Sequence, residues 1–181
     1  MTRFLHISRL ERVYGQLLAA LALLGCAAMF LMMMLIVADV ALRNIALPGL
    51  PRGLEWSNEV SELLLYLTTV LAAPWLLRQG QHIRVDILLT VLPPRLGWRL
   101  EWLGDSIGLA CCLFMTWYGA HATWASWASG ALNIKTLVTP EWWSLAPLPA
   151  MFLLLSVEML FRMKRLHEGE RAPRQDAVSV A

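Results

Sequence analysis

Residues 78–99, RQGQHIRVDILLTVLPPRLGWR, decide how this chain of 181 residues is read, because they separate a pair of long apolar runs and carry Arg78, Arg84, Arg95 and Arg99. Within the stretch His82, Arg84 and Asp86 alternate with Ile83, Val85 and Ile87, which locally imitates a half-buried strand. Over a longer window Ile83, Ile87 and Val91, with Leu88 and Leu92, form a stripe at helical spacing, and His82 lies one turn before Asp86. A strand edge facing lipid would leave backbone groups unpaired. The expectation is therefore a short amphipathic helix on the membrane surface, stopped by Pro93 and Pro94.

Composition sets the frame. The chain is 58% hydrophobic and 15% charged, with nine Trp and a mean hydropathy of +0.56, which places it among integral membrane proteins. A net charge of +2 spread around apolar runs does not form the basic stripe that a nucleic acid requires. Cys26, Cys111 and Cys112 all fall inside apolar runs without metal-ligand spacing or a disulfide framework, and read as small buried hydrophobes.

Four apolar runs are each near the ~20 residues that a membrane-crossing helix needs, giving spans at about 17–41, 59–77, 100–125 and 142–162. They make one all-α, four-helix membrane domain over residues 1–166, followed by a polar tail over 167–181. Ahead of the first span, Arg3, Arg9 and Arg12 sit among Phe4, Leu5, Ile7, Leu10 and Val13, the pattern of a surface helix leading into the membrane. The Leu23-Leu24-Gly25-Cys26 segment resembles a lipoprotein cleavage site, but the apolar run continues beyond it to Val37, so the segment is expected to stay as an uncleaved anchor. Lys and Arg concentrate before the first span, in the 78–99 connector and after the last span; only Arg43, Arg52 and Lys135 fall in the other two loops. The positive-inside rule then puts both termini and the connector in the cytoplasm. Trp98 and Trp102 would mark the cytoplasmic interface, and Trp56, Trp124, Trp127, Trp142 and Trp143 the outer one.

The residues that could carry chemistry are few. Asp39 and Arg43 close the first span, Glu59 and Glu62 open the second, Glu101 and Asp105 open the third, and Glu158 precedes Arg162 at the end of the fourth. Pairing one helical turn apart accounts for Glu158 and Arg162. Asp39, Arg43 and Glu59 are expected to converge near Trp56 as a brace at one outer corner. Gly104 and Gly108 form a GxxxG pattern that would let helices or a second protein approach closely. His121 is the one histidine near membrane depth, too few for a haem between helices, which argues against the cytochrome anchor of a respiratory enzyme. A stand-alone four-span exporter would need a carboxylate near the middle of its first span, and Asp39 lies too close to the end. No phosphate loop, nucleophile elbow or zinc-ligand pair is present, so neither an enzyme nor a cofactor is expected.

In order along the chain, Asp39-Val40-x-x-Arg43, Trp56-x-x-Glu59, Gly80-x-His82-Ile83-x-Val85-Asp86, Leu92-Pro93, Pro140-x-Trp142 and Leu148-Pro149 resemble the small, DctQ-type membrane subunit of TRAP (tripartite ATP-independent periplasmic) transporters. The resemblance covers the first span through the fourth. It implies a multi-pass protein of the bacterial inner membrane without a transport site of its own. Its partners would be a large permease subunit that carries substrate and cation in symport and a periplasmic binding protein that delivers an organic anion, usually a carboxylate such as a dicarboxylate. On that reading His82, Arg84 and Asp86 order the cytoplasmic surface helix, and Asp39, Arg43 and Glu59 brace the outer corner.

Overall fold

In hydrocarbon a helix satisfies its own backbone, so apolar runs of this length become helices. A computed structural model describes residues 2–45, 53–80 and 93–168. The expected surface helix with His82, Arg84 and Asp86 lies outside the described residues, as does the tail beyond residue 168. The elements are α1 (Thr2–Asn44), α2 (Ser57–Arg78), α3 (Pro94–Ser129), β1 (Leu132–Ile134), β2 (Val138–Pro140), α4 (Glu141–Leu145) and α5 (Pro147–Glu168). The principal contacts run from α1 to α2, from α2 to α5 and from α5 to α3, so the long helices stand in a row with α1 and α3 at its ends.

Small residues set the spacing of α1 and α2. Gly25 lies so close that an added Cβ would come within 3.4 Å of the Thr68 carbonyl oxygen. The Thr68 hydroxyl donates to the Leu64 carbonyl at 2.8 Å and lies 3.4 Å from the Gly25 carbonyl. Leu18 beside this seam is fully buried. On the other side of α2, Leu77, Leu155 and Cys112 form the core that joins α2, α5 and α3, with Phe152 and Met159 packed against it. Cys26 and Cys111, expected to be buried like Cys112, face outward instead.

Among the described residues, three helical segments are long and apolar enough to cross a membrane: Glu11–Asn44, Ser57–Arg78 and Glu141–His167. The span expected at 100–125 falls inside α3, whose 36 residues are ample in length but not apolar enough to join the other three. The reason is its content of Asp105, Ser106, Thr116, Trp117, Tyr118, His121, Thr123 and Trp124. Because α1 has 43 residues, it extends roughly 64 Å at 1.5 Å per residue. It carries the expected N-terminal surface segment as a direct continuation of the first span.

The chain is helical as expected, and the loop after α3 adds one short pair of strands to it. Gly130, at φ 63°, ends α3 in the left-handed conformation, and its neighbour Ala131 donates back to the Ser126 carbonyl at 3.2 Å, a glycine-based C-cap. The chain then folds into an antiparallel hairpin with Asn133 opposite Thr139 and Ile134 opposite Val138. Glu141 closes its base by donating its N–H to the Ala131 carbonyl at 3.1 Å. Ala146 separates α4 from α5 just before Pro147, which has no N–H to continue the ladder.

The GxxxG pattern does not bring two backbones of the described residues together. A Cβ added to Gly104 would have none of their atoms from another segment within 4 Å, and a Cβ on Gly108 would meet only the end of the flexible Met159 side chain, at 2.9 Å. Gly104→Ala is therefore expected to leave thermal unfolding of the detergent-solubilised chain unchanged, and Gly108→Ala to cost less than about 1 kcal/mol as Met159 shifts. A drop of many degrees for Gly104→Ala would contradict the open space at this glycine.

Candidate functional site

At the end of the row where α2 and α5 finish, charged side chains tie the helices together. Glu158 of α5 has no solvent exposure, and an ionised carboxylate in such a place must be paired. Arg78, in the last turn of α2, donates to Glu158 Oε2 at 3.2 Å, and Arg165 of α5 donates to Oε1. The same two arginines reach α1: Arg78 Nη2 donates to the Glu11 carbonyl at 3.2 Å, and Arg165 Nη1 to the Glu11 carboxylate at 3.0 Å. Gly15 makes room for this, since a Cβ there would lie 2.9 Å from Arg78 Nη2. Tyr14 adds a 2.6 Å hydrogen bond to the Leu154 carbonyl and a ring contact with Phe161 at 5.4 Å.

The same end engages α3. Arg162 donates to the Leu77 carbonyl at 3.0 Å, one of the groups that the end of a helix leaves without an intrahelical partner, and its Nε lies 3.7 Å from Asp105 Oδ1. Trp98 donates to the Leu166 carbonyl at 3.2 Å in the last turn of α5. Where turn spacing pointed to Arg162, Glu158 bonds Arg78 of α2 and Arg165 of its own helix. Three carboxylates, of Glu11, Asp105 and Glu158, face three guanidinium groups, of Arg78, Arg162 and Arg165, so the cluster balances its own charge. Nothing in a local window gives this away, because Arg78 and Glu158 are eighty residues apart.

The opposite end has two smaller fastenings. Asp39, almost fully buried, accepts the Leu54 N–H at 2.6 Å and the Arg43 Nε–H at 2.8 Å. Gly53 permits the approach: its φ of 104° suits glycine, and a Cβ would lie 2.9 Å from Arg43 Cγ. Trp56 follows, partly exposed at the start of α2. Glu59 does not join this corner as expected. In the first turn of α2 it faces the hairpin and accepts the N–H groups of Thr136 and Leu137 at 2.5 and 2.9 Å. Next to it Glu62 holds Lys135 at 2.8 Å, and this hydrogen bond raises the lysine above its ordinary pKa. Ser126 donates to Glu141 at 3.0 Å, fixing α4 against α3. The Trp98 and Trp102 rings, 6.3 Å apart, sit at the Glu158 end, and the Trp124–Trp127 and Trp142–Trp143 pairs at the hairpin end.

The family model for tripartite ATP-independent periplasmic transporters, DctQ component, matches residues 32–168. The chain belongs to that family. It is accordingly a small subunit of a TRAP transporter, an inner-membrane component of a system that works with a large permease and a periplasmic binding protein, and its family is one of transporter components. No curated protein matches the chain. The match takes in Asp39, Arg43, Trp56, Glu59, Gly104 and Gly108 together with Arg78, Asp105, Glu158, Arg162 and Arg165. Glu11, Tyr14 and Gly15, through which this DctQ chain attaches the start of α1, precede it. Among the described residues no group of His, Cys, Asp and Glu could hold a metal ion.

Breaking one side of a buried ion pair costs about 3–5 kcal/mol, whereas replacing both with apolar groups costs far less. Glu158→Gln is expected to destabilise the solubilised subunit by about 3 kcal/mol, and Arg78→Met combined with Glu158→Met by clearly less than the two single changes together; additive losses would contradict the pairing. At the other end the Asp39 bond to a main-chain N–H makes the pair asymmetric. Arg43→Gln, with its side chain 51% exposed, is expected to cost less than about 1 kcal/mol, and Asp39→Ala, which leaves the Leu54 N–H without its acceptor, more. Exchanging the two residues is not expected to restore stability, because an arginine at position 39 cannot accept from Leu54; full recovery in the exchange would contradict this geometry.

Proposed function

We propose that this subunit is the fixed scaffold of its transporter: it holds the large permease subunit in the membrane while that subunit moves, during cation-coupled import of an organic anion, a carboxylate in kind, delivered by the periplasmic binding protein. The observation that carries this reading is the commitment of the buried charges. Glu158 between Arg78 and Arg165, Asp105 beside Arg162, and Asp39 on Leu54 and Arg43 are all spent on joining one helix or loop to another. A group that is to bind and release a cation or an anion must instead be able to exchange partners.

The four long helices are taken to be four spans, with both termini and the 78–99 connector in the cytoplasm and the hairpin on the periplasmic side. The distribution of Lys and Arg and the two Trp groups support this orientation. α3 would be sheltered from lipid along some of its length by the permease, which accounts for its lower hydropathy. The exposed Ile134 and Val138 of the hairpin would then stand at the periplasmic surface, within reach of the docked binding protein.

Affinity capture of the tagged chain from native membranes is expected to retain a larger multi-span protein in fixed ratio. Vesicles containing only the chain are expected to accumulate no organic anion under a cation gradient. Accumulation by the chain alone would overturn the scaffold reading.

A further inference from the structure

At the hairpin end a cavity of about 400 Å³ opens between α2, the hairpin and the start of α5. Its apolar side is made by Val60, Leu63 and Leu148, while Glu62 and Lys135 stand at its polar side. Tyr66 also lines it, and the buried Tyr66 hydroxyl has no hydrogen-bond partner among the described residues. A buried hydroxyl left in that state is costly unless a ligand or water completes it. The Glu62–Lys135 pair, with side chains 71% and 46% exposed, belongs to a class that contributes little stability. It opens readily to other charges.

We propose that this cavity binds one phospholipid with a zwitterionic amine headgroup, of the phosphatidylethanolamine type. Glu62 and Lys135 present one negative and one positive group side by side, the complement of an ammonium joined to a phosphate. An anionic headgroup would find only Lys135 and meet repulsion from Glu62 and Glu59. Leu63 and Leu148 receive the first carbons of an acyl chain, and the Tyr66 hydroxyl donates to a glycerol ester or phosphate oxygen. The Trp124, Trp127, Trp142 and Trp143 rings at this end are of the kind that settles at the headgroup level of a bilayer. The leaflet rests on the orientation proposed above; the site itself does not.

Native mass spectrometry of the full chain in detergent, with phosphatidylethanolamine or phosphatidylglycerol of identical acyl chains, tests this directly. One phosphatidylethanolamine is expected to stay bound through delipidation, about tenfold more tightly than phosphatidylglycerol, the equivalent of one charge-assisted hydrogen bond. Tyr66→Phe removes only an unpartnered hydroxyl, so it is expected to keep the melting temperature while lowering retention. Ser144→Trp, which fills the cavity, is expected to abolish retention; if it fails to fold, Tyr66→Phe decides alone. Equal retention of the two lipids, or undiminished retention in Tyr66→Phe, overturns the proposal. Competition by soluble phosphoethanolamine at the same concentration would overturn the lipid as the source of the headgroup. Since only the isolated chain is used, neither result depends on capture of the permease.

Discussion

A single carboxylate, that of Glu158, governs the arrangement. Burying it without a countercharge is prohibitive, so α5 can take its place only where Arg78 and Arg165 reach both oxygens. Arg78 comes from the end of α2 and passes over Gly15 to the Glu11 carbonyl of α1. Arg165 bonds the carboxylate of the same Glu11. One turn away, Arg162 meets Asp105 of α3 and the Leu77 carbonyl. A shift of any helix along its axis by one turn, about 5.4 Å, would break several of these bonds at once. In lipid, where apolar faces gain little by choosing one another over acyl chains, such directional bonds set the register of a bundle.

The hairpin end is fastened differently. There the charged groups are spent on the main chain of loops: Asp39 on Leu54, and Glu59 on Thr136 and Leu137. The bundle is thus locked side chain to side chain at one end and pinned loop to helix at the other. A set of helices held at both ends is suited to stand beside a moving protein without moving itself. For a DctQ component this gives a physical meaning to buried charges that are engaged in holding its own helices and loops.

The helices were legible from their apolar runs, and the resemblance of Asp39, Arg43, Trp56, Glu59 and the residues after Gly80 to the TRAP small subunits led to the family that the match over residues 32–168 establishes. The bonds that hold the helices were not legible. Glu158 invited pairing with Arg162 because they are one turn apart, yet its partners come from α2 and from Arg165, and only the packed bundle brings Arg78 to it. Glu59 invited grouping with Asp39 by sequence proximity, whereas its position in α2 turns it to a loop some eighty residues later. The alternation around His82 looked like a strand, while the described strands lie at 132–140, where Ile134, Thr136, Val138 and Thr139 supply β-branched residues after the Gly130 stop. At three residues per strand that signal is too short for alternation to distinguish it from a loop.

The claim that the four long helices form one rigid row is tested most directly by pulsed electron resonance on the assembled transporter. With Cys26, Cys111 and Cys112 replaced, spin labels at the exposed positions Gln16 of α1 and His167 of α5 report the span across the Glu158 cluster. The account expects one narrow distance distribution, unchanged when the transported anion and the coupling cation are added. A second distance, or a shift of the first with substrate, would contradict it.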